Sequence, residues 1–322
     1  MHNSEKSIVY NLVASVFTWE IAPGRTVQAW GYNEQVPGPT IRVTKGDTLI
    51  VRIKNNLAEP TTIHWHGLRI PSLMDGTEEV QRAIQPGEEY EYQFVLPDAG
   101  TFWYHPHVNE TVQMERGMYG AIVVSDEHDP MMDGEKVFVI DDMKLDSKNE
   151  FTKPDWFFPR WMERHDGREG KTLIINGKVM PEYTIAAGQT ERWRFINSSN
   201  ARYFKLHLQG KAFRIIGTDG GLLSAPFTAT EILITPGERM DIAAGPFAEG
   251  ETIFIESLPI DRGAGKNKLL QFAKIQVTSN QASDAIIPDR LRGIDVLTPR
   301  ETPVNKTVKL FGNRNWKEGV DF

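Results

Sequence analysis

The stretch GTFWYHPH at residues 100–107 joins a predicted β-strand to a His-x-His pair. A second pair occurs in HWHG at residues 64–67, so four of the eight histidines of the chain lie in these two short strings. Side chains alternate between the two faces of a strand, and residues two apart therefore point the same way. We expect each pair to present two imidazoles side by side, and two pairs on neighbouring strands to surround a single point.

The four histidines of these strings are predicted to be the ligands of a polynuclear metal site. Imidazole nitrogens suit copper, zinc, iron and nickel. One His-x-His pair occurs easily by chance on an exposed strand, whereas two pairs that each end a predicted strand beside an aromatic residue are much less expected by chance. The predicted ligands are His64, His66, His105 and His107. A structural or fortuitous role for them is the alternative.

Composition argues against several classes of protein. The chain has 322 residues, a formal net charge of −7 and no basic run, which argues against a nucleic-acid partner. Its apolar stretches are only strand-sized, so we expect no membrane span. Residues 1–20 mix charged and apolar side chains, and no signal peptide is visible there. The compartment stays open, because an exported protein whose leader had been removed would look the same.

Cysteine is absent from the sequence. This excludes disulfides, a thiol nucleophile and thiolate-bound metal within these 322 residues. A blue (type 1) copper centre needs a cysteine sulfur beside two histidines, so we predict no type 1 site in this chain.

Short runs of β-branched or aromatic residues recur between Gly- and Pro-containing turns along most of the chain, and convincing long amphipathic helices are missing. This spacing predicts an all-β sandwich or barrel. The predicted strands lie at 49–54, 91–96, 119–125, 136–141, 190–197, 204–208, 231–235, 252–256 and 269–277. Segment 155–170 is rich in Trp, Phe, Arg and Pro, and we predict an irregular loop there.

An internal repeat predicts two related domains. The string KGDT at 45–48, followed by a predicted strand, matches AGQT at 187–190. The string QPGE at 85–88 matches TPGE at 235–238. Both matches preserve the chain order, which indicates that one domain has been duplicated.

The repeat also predicts where the domains begin and end. We assign residues 1–130 to a first domain and residues 131–280 to a second. The residues that follow contain prolines and charges with little apolar pattern, until a last short apolar run. We therefore predict that residues 281–322 form a linker and the beginning of a truncated third domain.

Histidine content separates the two copies of the repeat. In this alignment His64 corresponds to His207, whereas the other three predicted ligands correspond to residues other than histidine. Those positions are Gln209, Glu256 and Leu258. We therefore predict that the first domain carries the ligands and that the second is structural.

Several motifs together resemble those of the multicopper oxidase family. With the two His-x-His strings, VPGPT at 36–40 and KGD at 45–47 resemble the first cupredoxin domain of that family. NSSNAR at 197–202, TDGG at 218–221 and PGER at 236–239 resemble the ligand-free middle domain of its three-domain members. The resemblance implies a laccase-like protein with two tandem cupredoxin-like Greek-key β-sandwiches and the start of a third.

The resemblance also implies an activity and its cofactor, copper. Laccase-like members couple one-electron oxidation of a phenol, aromatic amine or metal ion to the four-electron reduction of O2 to water at a trinuclear copper cluster. Carried over to this chain, the type 2 copper would be bound by His64. The type 3 pair would be bound by His66, His105 and His107. Asp75 would lie near the cluster and help to deliver protons, with a plain turn residue as the alternative.

The chain departs from the family where the last domain would follow. The histidine strings of that domain and the Cys, His and Met ligands of blue copper are missing from these 322 residues. Half of the trinuclear ligands remain, so we expect partial or no copper occupancy and no turnover by this chain alone. The expected partners are dioxygen, a small reductant and a third cupredoxin domain. The face that this domain would cover is expected to favour self-association.

Three further interpretations stay open. A copper-binding or copper-tolerance protein would use the four histidines without turnover. A structural cupredoxin-like protein would have lost copper, although the retained histidines argue against this. A two-domain trimer, in which a neighbour completes the cluster, is disfavoured because the second domain lacks the needed histidines. The family is often exported, so the resemblance implies a periplasmic or secreted protein.

Overall fold

β-Strands make up most of the chain. A computed structural model describes residues 6–152, 167–261 and 268–294, and within these residues the predicted all-β class is confirmed. No described helix is long and apolar enough to cross a membrane. The chain beyond residue 294, assigned to the beginning of a third domain, lies outside the described residues, as does most of the predicted loop at 155–170.

Eight strands form a first sandwich of two four-stranded sheets. They are β1 (Ser7–Ala22), β2 (Arg25–Tyr32), β3 (Gly38–Thr44), β4 (Thr48–Asn55), β5 (His64–His66), β6 (Glu89–Val95), β7 (Gly100–His105) and β8 (Gly120–Ser125). The sheet orders are β2-β1-β4-β6 and β3-β8-β7-β5. Alternate side chains of β4, namely Leu49, Val51 and Ile53, point into a core shared by both sheets, which also holds Trp65 and Tyr104.

Eleven further strands form a second sandwich. They are β9 (Gly134–Met143), β10 (Thr172–Ile175), β11 (Glu182–Ala187), β12 (Glu191–Asn197), β13 (Phe204–His207), β14 (Phe213–Thr218), β15 (Gly221–Ala229), β16 (Glu231–Ile234), β17 (Arg239–Ala244), β18 (Thr252–Leu258) and β19 (Leu270–Asn280). The sheet orders are β10-β9-β12-β17-β14-β15 and β11-β19-β18-β13-β16. Phe138 and Trp193 of one sheet pack with Phe204 and Phe272 of the other. The predicted pair of β-sandwiches is therefore present.

A separate cluster of buried residues joins the two sandwiches. Trp103 of β7 packs in it with Val139 of β9 and Ile196 of β12. Beside this cluster, the hydroxyl of Tyr119 donates a hydrogen bond to Asp141 Oδ2 at 2.8 Å. As a result β7, which would have one open face in an isolated sandwich, is buried along its whole length.

Two short helical segments follow the two histidine pairs. A 3-10 turn at Ser72–Met74 follows the first pair, and α1 (Glu110–Glu115) follows the second. They bring the carboxylates of Asp75 and Glu110 close to histidine rings.

Candidate metal centre

The pairing of β5 with β7 sets the arrangement of the histidines. The two strands are antiparallel, with His64 opposite His105 and Trp65 opposite Tyr104. Trp65 and Tyr104 are fully buried in the core of the first sandwich. Because side chains alternate across a strand, His64, His66 and His105 project from the other face of the sheet.

His107 lies beyond the end of β7, after Pro106. Its backbone N–H donates to Thr62 Oγ1 at 3.1 Å, which anchors this end of the string. The ring centroid of His107 lies 5.3 Å from that of His64 and 6.3 Å from that of His105. The structure therefore brings all four predicted ligands together.

Three of these rings offer nitrogen atoms around one point. One ring nitrogen from each of His64, His66 and His105 lies within 4.8 Å of the other two. Nitrogens bound to one metal ion at about 2.0 Å are at most ~4 Å apart, so the group is already near metal-binding spacing. Among the described residues, no second group of three His, Asp or Glu side chains meets the same spacing.

Backbone carbonyls fix the protonation of two rings. His64 Nδ1 lies 2.9 Å from the carbonyl oxygen of Asp75, and His105 Nδ1 lies 2.8 Å from that of Pro106. A carbonyl oxygen only accepts hydrogen bonds, so each Nδ1 is the donor and carries the proton. In the uncharged ring Nε2 then keeps its lone pair, and that is the form of imidazole that binds a metal.

His66 is oriented differently. Its Nδ1 lies 3.3 Å from His105 Nε2. Because that Nε2 has the lone pair, His66 Nδ1 is the donor and would have to release its proton to bind a metal ion. The opposite edge of the ring faces Gly237 of the second sandwich. Trp103 lies beside both rings, with centroid distances of 4.8 Å to His66 and 4.2 Å to His105.

Burial favours the uncharged form of two of the rings. Burial first, and then the nearby Arg239 guanidinium and the neighbouring histidines, lower the pKa of His66 to about 3. Burial also lowers the pKa of His105 well below its usual range. A buried imidazolium is costly because water no longer solvates its charge. Both rings are therefore uncharged at neutral pH, as metal binding requires.

Asp75 lies beside the first histidine pair. Its backbone carbonyl holds His64, and its carboxylate Oδ1 lies 3.4 Å from the same Nδ1. The side chain is 32% exposed, so the carboxylate faces both the ring and the solvent. Asp75 also follows the 3-10 turn, and its N–H donates to the carbonyl of Ser72. The turn and the contact with His64 are thus compatible roles of one residue.

Three neighbours of the histidines were missed by the sequence analysis. Glu110 Oε1 lies 3.5 Å from His105 Nδ1, Trp103 stacks on the His105 ring, and Arg239 approaches from the second sandwich. Glu110 is only three residues after His107, which could have drawn attention to it. The PGER string at 236–239 resembles a family motif, but no local sequence feature indicates that it contacts the other domain.

Comparisons with known proteins give one family. Sequence profiles described as multicopper oxidase match residues 14–129 and 144–245. The multicopper oxidase MmcO of Mycobacterium tuberculosis is 32% identical over 287 residues, which cover 77% of this chain and 56% of that protein. The multicopper oxidase mco of Staphylococcus haemolyticus is 33% identical over 324 residues, covering 97% and 67%.

Solved structures agree with these relatives. A multi-copper oxidase from Pseudomonas thermotolerans superimposes with a TM-score of 0.81 at 32% sequence identity, covering 92% of this chain and 70% of that one. The chain thus spans about half to two thirds of the length of the curated relatives named above. The histidine cluster, the two sandwiches and these similarities lead to one conclusion: the chain belongs to the multicopper oxidase family.

Proposed function

We propose that this chain carries half of the ligand set of a trinuclear copper cluster in a laccase-like multicopper oxidase. The observation that supports this best is the group of four imidazoles at the ends of β5 and β7, in which backbone carbonyls hold Nδ1 of His64 and His105, so that Nε2 is the unprotonated nitrogen of each uncharged ring. Imidazole is a preferred ligand of copper, and the buried rings of His66 and His105 are uncharged. The residues present therefore fit the metal that the family uses.

The proposed division of ligands follows the resemblance to the family. His64 would hold the type 2 copper, and the type 3 pair would be held by His66, His105 and His107. The contact between His66 Nδ1 and His105 Nε2 supports a shared site for these two rings. Bound copper would supply the electron-accepting and oxygen-reducing chemistry of the family.

Protons are the second requirement of the reaction, because reduction of O2 to water consumes one proton for each electron. Asp75 is suited to this task, since its carboxylate touches both solvent and the Nδ1 side of His64. We propose that the Asp75 carboxylate takes up a proton from solvent and passes it toward the cluster by a route other than His64 Nδ1, which already carries a proton. Glu110 occupies a comparable position beside His105 and is 42% exposed, so it offers a second entry for protons.

The two sandwiches would have separate roles. The strands of the first end at residue 125 and those of the second begin at residue 134, which supports a ligand-bearing domain over 1–130 and a ligand-free domain over 131–280. We assign residues 281–322 to a linker and the start of a third cupredoxin domain. That domain would contribute the remaining ligands and a type 1 copper. Without it, the uncovered face of the first sandwich would favour self-association.

Copper content and oxygen uptake together test the proposal. The purified chain is loaded anaerobically with Cu(I), bound copper is measured, and oxygen uptake is followed with a phenolic reductant. We expect fewer than three copper ions per chain and no turnover, because half of the ligands and the type 1 site are missing. Tight loading with three copper ions, or uptake at an oxidase rate, would contradict the half-site.

The histidine cluster also supports a second function. The four histidines meet within one chain that contains no cysteine, which also suits a protein that binds copper for tolerance without turnover. The mass of the protein from its native source separates the two functions. A mass larger by a further cupredoxin domain supports the oxidase, whereas a native chain of 322 residues supports copper binding.

A further inference from the structure

The turn that leads into β17 reaches across the domain boundary to a histidine ring. It contains Gly237, whose φ of +84° lies in the left-handed region that favours glycine. A Cβ atom built on Gly237 would lie 3.1 Å from His66 Cε1 and 3.3 Å from His66 Nε2. The His66 ring therefore packs edge-on against bare backbone of the second sandwich.

Arg239, two residues further on, fastens this turn to the first sandwich. The residue is 4% exposed. Its Nε donates to the carbonyl of Thr101 in β7 at 3.1 Å, and its Nη1 donates to the carbonyl of Gly237 at 3.0 Å. Its Nη2 donates to the carbonyl of Asp219 at 3.0 Å. One guanidinium thus joins the turn, its own sandwich and a ligand-bearing strand.

The guanidinium also covers the residue after His66. Gly67 has a φ of +87°, and a Cβ atom built on it would collide with Arg239 Nη2. Arg239 therefore fills the space over Gly67 that a larger residue would occupy. The end of β5 and the start of β7 are held by the same side chain.

Thr101 is held from a second direction. Its hydroxyl donates to Asp241 Oδ1 at 2.6 Å and accepts from Arg194 Nη1 at 2.8 Å. Asp241 and Arg194 are both buried and belong to the second sandwich. The start of β7 is therefore anchored by backbone and side-chain hydrogen bonds across the boundary, and each buried polar group in the contact has a partner.

β5 needs such support because it is short and lies at the edge of its sheet. It has three residues, and within the described sheet only β7 pairs with it. A half-turn of the His66 ring about its last side-chain bond would put Cδ2 in the place of Nδ1 and turn that nitrogen away from the other histidines. Contact with Gly237 on one edge, and with His105 on the other, opposes this rotation.

We propose that Arg239 and Gly237 of the ligand-free sandwich are positioning residues for the metal site, which hold His66 with Nδ1 turned toward the other histidines. The proposal rests on the copper site proposed above. Partners that orient a metal ligand typically change metal affinity about 10- to 100-fold when they are removed. The second sandwich then contributes to the metal site without offering a ligand.

The first variant to make is Arg239→Met in the full chain, which keeps an unbranched side chain and removes the charge and the hydrogen bonds of the guanidinium. The matched control is Arg202→Met. Arg202 is also a largely buried arginine of the second sandwich, but its guanidinium bonds Asp142 and Gly170, within that sandwich. Thermal unfolding compares the loss of stability in the two variants, so that a general effect of removing an arginine is recognised.

Two readouts report on His66. In the metal-free chain, a nuclear Overhauser effect between His66 Hε1 and the Hα protons of Gly237 measures the ring position directly. Calorimetric titration with Cu(II) measures affinity. We expect Arg239→Met to lose the Overhauser effect and to weaken copper binding about 10- to 100-fold. We expect Arg202→Met to preserve both.

The outcomes separate this proposal from the proposed function. If the wild-type chain binds no copper, the copper site is in doubt, and the Overhauser effect still decides the position of the ring. If Arg239→Met retains the effect and the wild-type affinity, or if Arg202→Met weakens binding equally, the positioning role is wrong.

A more conservative variant, Arg239→Lys, tests the proposal if Arg239→Met does not fold. Arg239→Lys preserves the charge but cannot reach Thr101, Gly237 and Asp219 together, because an ammonium is a point donor and a guanidinium is a planar fork. We expect it to weaken copper binding less than Arg239→Met and more than the control. Wild-type affinity and an unchanged Overhauser effect in Arg239→Lys would overturn the proposal.

Discussion

The same strand pair occurs in both sandwiches, and the two copies hold different side chains. In the first sandwich β5 pairs with β7 so that His64 faces His105. In the second, β13 pairs with β18 so that His207 faces Glu256, with His207 Nδ1 3.6 Å from Glu256 Oε2. This is the correspondence that the sequence repeat indicated. A single exchange of histidine for glutamate replaces a pair of rings by a ring and a carboxylate.

The surroundings of the two pairs differ as much as the pairs themselves. In the first sandwich, carbonyl oxygens accept from Nδ1 of His64 and His105, and His105 Nε2 lies 3.3 Å from His66 Nδ1. In the second, Glu256 is buried and accepts a hydrogen bond from Gln271 Nε2 at 2.9 Å. The comparison teaches that both sandwiches provide the same register for this strand pair, whereas the side chain opposite the histidine, His105 or Glu256, decides whether a second ring is present.

The largest expected effect comes from removing a histidine ligand from the first sandwich. The corresponding histidine of the second sandwich is removed for comparison. We expect His64→Ala to lower copper affinity by more than about 100-fold, because it removes a ligand from an already incomplete set. His207→Ala, the matched variant, should bind copper as the wild type does. Copper content after loading and dialysis measures both. Equal loss in the two variants would remove the distinction between the sandwiches.

The second largest effect is expected on turnover, from loss of proton delivery by Asp75 in the first sandwich. We expect Asp75→Asn to lower kcat of the complete oxidase about 100-fold, since an amide cannot carry a proton at neutral pH. Copper content should persist, because the backbone carbonyl of residue 75 still holds His64. Asp98→Asn is the control, as Asp98 pairs with the exposed Arg69. Unchanged turnover in Asp75→Asn would leave Asp75 as a turn residue.

The third effect is the pH dependence of stability that His66 confers. Its pKa is about 3 when folded and about 6.5 when unfolded, so the unfolded chain binds the extra proton between these values. The stabilisation is complete above pH 6.5 and is lost as pH falls toward 3. We expect the free energy of unfolding of wild type, relative to His66→Gln, to fall by at most about 1.4 kcal/mol per pH unit in this window.

The comparison with His66→Gln is needed because another buried group has the opposite sign. Burial raises the pKa of Asp142 to about 7, so its contribution is complete below its unfolded value and lost as pH rises through 7. Asp142 is present in both proteins and cancels in the difference. Urea unfolding at several pH values between 4 and 7 gives the result, and parallel curves for the two proteins would contradict it.

The smallest effect is expected from a substitution in the second sandwich, and it concerns the free energy of unfolding. Glu256→Gln keeps the size of the side chain but removes the carboxylate that faces His207. We expect a loss of at most about 1 kcal/mol in the free energy of unfolding, because Glu256 Oε2 and His207 Nδ1 are 3.6 Å apart, beyond hydrogen-bond distance, and the amide can still accept from Gln271 Nε2. Copper content should not change. A loss of copper in this variant would show that the second sandwich reaches the metal site by a route other than Arg239.

Several strands of the fold were predictable because their pattern is local. The predicted runs at 91–96 and 119–125 correspond to β6 and β8, whose neighbours are turns with Gly or Pro. The first strand, β1, was not predicted. It pairs in parallel with β4 along its first half and with β2 along its second, so its two halves have different surroundings and no single alternation is visible.

The candidate site was predictable in its residue types and not in its environment. Two His-x-His strings are readable in one dimension, and strand periodicity places each pair on one face. The choice of nitrogen on each ring depends on the carbonyls of Asp75 and Pro106 and on Gly237. Asp75 and Gly237 are more than ten residues from the rings they contact, and no local sequence pattern predicts these contacts.

The sequence by itself determined the β class, the duplication, the four histidines and the absence of cysteine, because each depends on residue type and short-range spacing. Only the tertiary structure decided that β7 is buried on both faces and that Arg239 lies over Gly67. These contacts join segments that lie between tens and more than a hundred residues apart in the chain. The contacts form only when the two folded sandwiches pack against each other. The sequence of either segment alone therefore does not predict them.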